Sequence, residues 1–320
     1  MNIPWLKTQC EQLLRARALG RFPSGLLVHE APGAGGEALA RFAAQAALCR
    51  QAPAPCGVCR DCRQVLAGQH PDLHWVAPEE DSKQIRVEQV RDLMGELGLT
   101  SHAGEASVAI LTPAEALNAN AANALLKTLE EPRAGVSVIL LTTSPSRLPA
   151  TLRSRCVWLK VPAPGREAAR AWLVAEQGAG DWDAVLDVLG NAPLLARDVD
   201  LKGFRRLRDE SWQLMQQLES GQPVNIPFLA ESWTRGEAKE RDLALRLRCI
   251  ENWLTERLLG AHKVPTAAHL RSADYVKNIG RLLRLAAGVT EMRRLEATPV
   301  NKTLLLERLL WQWQMGSGAV

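Results

Sequence analysis

The stretch that most constrains the fold runs from Asn120 to Val161. Asn120-Ala-Ala-Asn-Ala-Leu-Leu-Lys-Thr-Leu-Glu-Glu is built from helix formers and stops at Pro132, which has no N–H to continue a helix. Val136-Ser-Val-Ile-Leu-Leu-Thr142 follows, a short apolar run that predicts a strand buried on both faces. Thr151-Leu-Arg-Ser-Arg-Cys156 then sets two arginines and a serine just ahead of a second strand-like run, Val157–Val161. Together these pieces predict an α/β layer with a basic tip at the edge of a parallel sheet. The same alternation precedes them. Strands are predicted at Gly25–Val28, Leu73–Ala77 and Ser107–Leu111, and helices at Thr8–Leu19, Ala38–Cys49 and Val87–Leu97, so the sheet should be mostly parallel.

A chain of 320 residues, 47% apolar and 23% charged, suits a soluble protein of two or three domains. Its net charge of +4 is too small to argue for nucleic acid by itself. Residues 201–320 carry 19 Lys+Arg against 13 Asp+Glu (+6), and residues 1–200 carry 20 against 22 (−2). A weakly basic C-terminal third fits contact with DNA or with an acidic face, and fits a solvated helical surface equally well. No export signal and no membrane-length apolar run is visible, so a cytoplasmic protein with reduced thiols is expected.

Two local motifs carry chemistry. Glu30-Ala-Pro-Gly-Ala-Gly-Gly-Glu37 lies between a predicted strand and a predicted helix, the setting of a phosphate-binding loop. Aligned on Gly33 and Gly35, the first glycine of such a loop is Glu30, the phosphate-binding lysine is Gly36 and the Mg²⁺-binding hydroxyl is Glu37. Carboxylates stand where a cation belongs, so a degenerate loop without ATP is expected. Cys49, Cys56, Cys59 and Cys62 have the spacing C-x6-C-x2-C-x2-C, which brings four thiolates onto one tetrahedral zinc with no open position, a structural site. His70 and His74 are expected to be ordinary loop residues, since four cysteines complete the shell.

The segments NALLKTLEEP (Asn123 to Pro132) and TLRSRC (Thr151 to Cys156) resemble those of bacterial DNA polymerase III clamp-loader subunits, which are AAA+ ATPases. Ile85-Arg-Val-Glu-Gln-Val-Arg91 resembles the same family. The resemblance implies that the Mg²⁺-binding Asp-Glu pair of the ATPases falls on Thr112 and Pro113, with Glu115 two residues late. It implies that Gly190–Ala196 occupies the place of the sensor-2 motif, with Pro193 where an arginine would stand and Arg197 four residues beyond. It places a four-cysteine zinc module where the cysteines lie. It also makes Ser154-Arg155-Cys156 the motif of a trans-acting arginine, with Arg155 as that arginine and Arg153 and Arg147 as lesser candidates.

A chain that has lost its nucleotide chemistry but keeps this arginine would complete a neighbour's active site without hydrolysing ATP itself. The resemblance therefore implies a non-hydrolysing subunit of a heteromeric ring that loads the sliding clamp onto primed DNA. Its partners would be the ATPase subunits and the delta subunit of the loader, and the sliding clamp, with DNA reached through the complex and no membrane. The chain would be part of the polymerase holoenzyme and would have no ATPase activity of its own. Expected domains are an AAA+ α/β domain over 1–161 with the zinc module at about 49–62, a helical lid over 162–205 and a helical collar over 206–320. The turn-forming Pro162-Ala-Pro-Gly165 sets the first boundary. In the last domain, helices are predicted over Arg206–Glu219, Glu237–His262, Ala267–Ala287 and Lys302–Gln314, with Trp212, Trp253, Trp311 and Trp313 mostly in their core. Two other readings compete: an active AAA+ ATPase, and a zinc-dependent nucleic-acid-binding module.

Overall fold

The computed structural model describes residues 3–79, 82–98, 106–235, 237–261, 273–296 and 300–317. Contacts divide the chain into two compact units: one of 1–177 with 191–197, the other of 178–190 with 198–320.

The first unit is built on five parallel strands. In chain order they are β1 (Gly25–Glu30), β2 (Leu73–Val76), β3 (Ser107–Leu111), β4 (Val136–Thr142) and β5 (Val157–Val161). Their spatial order is β2-β3-β4-β1-β5. β4 is buried along its whole length because its two faces serve two cores. Ile139 and Leu141 pack with α1 (Lys7–Ala18) and α2 (Gly36–Leu48) on one side. Val136, Val138 and Leu140 pack with α4 (Val87–Gly98) and α5 (Ala119–Glu130) on the other. Alternate residues therefore face opposite layers, as the pleat requires. The short helix α3 (Arg60–Leu66) precedes β2, α6 (Ala150–Arg153) precedes β5, and α7 (Arg166–Gln177) and α9 (Pro193–Arg197) complete the unit. β5 is one edge of the sheet, opposite β2, and it alternates between exposed and buried residues after Trp158.

Boundaries follow capping chemistry. Asn118 caps α5 by accepting from the Ala121 N–H at 2.8 Å, and the helix ends two residues before Pro132.

The second unit is helical. α8 (Trp182–Leu189), α10 (Leu201–Glu219), α11 (Ile226–Thr234), α12 (Glu237–Ala261), α13 (Ala273–Glu296) and α14 (Lys302–Ser317) form it. α10 begins earlier than its apolar pattern suggests because Asp200 caps it, accepting from Gly203 N–H at 2.9 Å. α11 was not expected: Pro227 reads as a breaker, yet at the second helical position it costs no hydrogen bond. The predicted ends at His262 and Ala267 lie outside the described residues. Trp253 and Trp313 are buried edge to face at 5.7 Å in this core and Trp212 packs against it, while Trp311 is exposed. No described helix is long and apolar enough to cross a membrane.

Candidate functional site

The glycine-rich loop lies where the sequence puts it, between the C-terminal end of β1 and the start of α2. A helix start presents free N–H groups and a partial positive charge, which favours an anion. The chain fills that place with a side chain of its own. Glu30 folds back and accepts from the Gly36 N–H at 2.6 Å. A side chain at Gly36 has no room: a Cβ there would lie 2.6 Å from Glu30 Cδ and 2.6 Å from Leu141 Cδ1. The missing lysine is thus excluded sterically as well as chemically. Burial pushes the Glu30 carboxyl above its ordinary pKa. The Gly36 and Gly35 N–H groups pull it back, and Glu37 and Glu115 push it further up.

The loop is also covered. Trp5 donates its indole N–H to the Ala34 carbonyl at 2.7 Å, and Leu194 donates its N–H to the Gly33 carbonyl at 3.1 Å. Ala192 and Leu195 would lie within 2.9 Å of a Cβ at Gly33. The segment around Pro193 therefore lays apolar side chains on the loop from α9, where the resemblance would have an arginine. Thr112 and Pro113 follow β3 with no carboxylate. Glu115 is turned toward the end of β4, where its Oε1 accepts from the Thr143 hydroxyl at 2.9 Å.

The arginine segment sits at the opposite edge. β1 and β5 are neighbours in parallel register, Leu26 beside Val157 and Glu30 beside Val161. Arg155 precedes β5, so it lies at the N-terminal edge of the two strands, and the loop lies at the C-terminal edge. A six-residue strand separates these edges by about 17 Å, at about 3.3 Å per residue. Gly25 marks the close approach, since a Cβ there would lie 3.1 Å from the Arg155 carbonyl. Cys156 is buried against the same strand, and burial pushes its thiol up to about 11, which makes it a packing residue. The Arg155 guanidinium donates from Nη1 to the Thr151 carbonyl at 2.9 Å, and its Nη2 lies 2.6 Å from Glu130 Oε1. Arg153 is half-buried at the end of α6, and Arg147 is exposed on a separate turn.

The cysteines come together as predicted. The Sγ atoms of Cys49, Cys56, Cys59 and Cys62 all lie within 4.8 Å of one another, with Cys49 and Cys59 at 3.9 Å. Backbone N–H groups point at the sulfurs: Cys59 to Cys56 Sγ at 3.3 Å, and Cys62 to Cys59 Sγ at 3.4 Å, the latter capping α3. Donors to Cys56 from Val58 and Cys59 lower its pKa to about 6, and burial pushes Cys62 up to about 12. Arg50 and the buried Asp61 clasp the two ends of the loop with contacts of 3.0 and 3.2 Å. The donor set fits a tetrahedral, thiolate-bound ion, whose sulfurs are about 3.8 Å apart at metal–sulfur distances of about 2.3 Å.

The two histidines are not loop residues of one kind. His74 is on β2, where its Nδ1 lies 2.8 Å from Glu96 of α4. His70 is buried, accepts at Nδ1 from the Asp72 N–H at 3.1 Å, and burial lowers its pKa.

Similarity to known proteins extends over nearly the whole chain. Residues 5–164 match the family described as "DNA polymerase III, delta subunit". The DNA polymerase III subunit delta' of Pseudomonas aeruginosa is 34% identical over 97% of this chain and 96% of its own length. The chain belongs to the DNA polymerase III delta-prime family. The delta-prime subunit of Escherichia coli K12 is 30% identical over 96% of this chain and 93% of its own. A DNA polymerase III gamma subunit-related protein from Thermotoga maritima shares the fold, with a TM-score of 0.50 at 16% identity, over 96% of this chain and 99% of that one.

Within this delta-prime family member, three residue sets escape sequence reading. Glu130 lies inside the quoted NALLKTLEEP string, yet nothing local pairs it with Arg155. Trp5 with Leu194 and Leu195 cover the loop from distant parts of the chain. The fold-back of Glu30 is the third. Its only signal is the position itself, a carboxylate six residues ahead of a helix start that is rich in free N–H groups.

Proposed function

We propose that this chain is the non-hydrolysing subunit of the DNA polymerase III clamp loader, and that it supplies Arg155 in trans to the ATP site of a neighbouring ATPase subunit. The observation that carries the reading is Glu30 bonded to Gly36 at 2.6 Å, an internal carboxyl group seated in the N–H cradle that ATP would need. The placement of Arg155 supports the second half. About one strand length separates it from the chain's own loop, so its guanidinium is free to serve only a site outside its own unit. The assembly is a ring containing ATPase subunits and the delta subunit, which opens the sliding clamp and sets it on primed DNA. In this reading 1–161 act as the AAA+ body, 162–205 as its lid and 206–320 as the collar that holds neighbours.

Zinc belongs to the same reading. Cys49, Cys56, Cys59 and Cys62 would hold it as thiolates, and it would supply rigidity to the loop rather than chemistry, since no coordination position stays open. Elemental analysis of the reduced protein should find about one zinc per chain. Protein free of metal would remove this part.

The test of the main reading is calorimetric titration of the isolated chain with MgATP. No heat of binding is expected. Micromolar affinity would overturn the non-hydrolysing assignment and reopen the ATPase reading.

A further inference from the structure

We propose that Glu130 holds Arg155 in a parked position on its own subunit, and that a neighbour's polyphosphate must displace this carboxylate to engage the arginine. The inference rests on the trans-arginine reading above. Glu130 is the last residue of α5, where the helix's partial negative charge disfavours a carboxylate, and Glu131 follows it as the cap. Lys127 is the helix's own cation in that turn, but the contact at 2.6 Å is made to Arg155.

The guanidinium is held from two sides, by Glu130 of α5 and by the Thr151 carbonyl of α6. Its backbone is pinned by buried Cys156 and by the close approach to Gly25. The arginine's freedom is therefore in its side chain, and its alternatives are Glu130 or an anion from outside.

Exchange between the two is feasible. The side chains of Arg155 and Glu130 are 35% and 48% exposed, and ion pairs in such settings are weak. A terminal phosphate carries more charge and more acceptor oxygens than a carboxylate, so a docked nucleotide outcompetes Glu130, whereas a loosely placed one does not. The contact thus withholds the arginine until the subunits close.

The test uses the full ring reconstituted with Glu130→Gln, Arg155→Ala and the double variant. ATP hydrolysis is measured with and without clamp and primed DNA, and thermal melting of the variant chains is followed in parallel. Glu130→Gln should raise the rate without clamp and DNA by about two- to fivefold and leave the stimulated rate near wild type. The double variant should match Arg155→Ala. A purely structural pair would instead lower the melting temperature and both rates together. If Arg155→Ala slows hydrolysis while Glu130→Gln leaves the unstimulated rate unchanged or lower, this inference alone falls. If Arg155→Ala has no effect, the trans-arginine reading falls and takes this inference with it.

Discussion

The two edges of one pair of strands have gone opposite ways. At the C-terminal edge of β1 the phosphate loop is closed: Glu30 fills its N–H cradle, Leu141 blocks the lysine position, and Trp5 with Leu195 cover it. At the N-terminal edge of β5 the chain presents Arg155 with its side chain partly in solvent, restrained by a surface ion pair to Glu130 and a bond to the Thr151 carbonyl. The strands between them are shared and fully buried at β1's first four residues. In a parallel sheet the two edges can differ in chemistry without disturbing each other, because each edge is built from loops and the strands only set their spacing.

The largest expected effect lies on the arginine edge. Arg155→Ala should slow hydrolysis at the facing ATP site by on the order of 10³-fold, without loss of ring assembly. Arg155→Lys should not restore the rate, because a lysine offers a point charge in place of a planar fork. Single-site turnover in the reconstituted ring reads this. Rescue by lysine would show that charge alone is needed, and would weaken the contrast between a specialised edge and a closed one.

The closed edge makes the opposite prediction. Restoring the motif with Glu30→Gly, Gly36→Lys and Glu37→Thr together should still yield no MgATP binding by calorimetry. Leu141 Cδ1 would remain 2.6 Å from the new Cβ, and the cover of Trp5 and Leu195 is untouched. Overpacking of this kind costs about 1–3 kcal/mol, to be read by urea unfolding. Tight nucleotide binding by the triple variant would mean that the loop is closed only by the chemistry of its side chains and not by its surroundings.

The same division explains what could be read in advance. β4 and β3 were legible because a strand buried on both faces is mostly apolar, and these runs are short and hold β-branched residues. The place of Arg155 just ahead of β5 was legible because Thr151–Cys156 is a local string beside a strand-like run. The cysteine cluster was legible because its four residues lie within one loop and the first helical turn after it. By contrast, α3 was hidden: Arg60-Asp61-Cys62-Arg63 has no apolar period, and the helix is started by a cysteine sulfur acting as its cap. The pairing of Glu130 with Arg155, and the cover that Leu194 and Leu195 place on Gly33, join residues far apart in the chain. Such contacts depend on the packing of whole elements, which no local pattern encodes.

The smallest effect tests whether the closed loop still favours negative charge at all. A carboxylate at a helix start that receives N–H bonds would ordinarily be held below its usual pKa. Glu30 is raised above 4.5 instead, because burial outweighs the bonds from Gly36 and Gly35, and Glu37 and Glu115 add repulsion. The ionised form is therefore less favoured in the folded protein than in the unfolded chain. Its cost is absent below the unfolded-state pKa, and stability falls as pH rises from there through the folded-state pKa. Glu30→Gln keeps an acceptor for Gly36 and removes the charge. The variant should match or exceed wild-type stability at neutral pH, and the difference should vanish below the unfolded-state pKa, at pH of about 4. Urea unfolding of both proteins across this range measures it. If Glu30→Gln were clearly less stable at neutral pH, the loop would be an anion site filled by its own side chain, and the two edges would differ in occupancy rather than in kind.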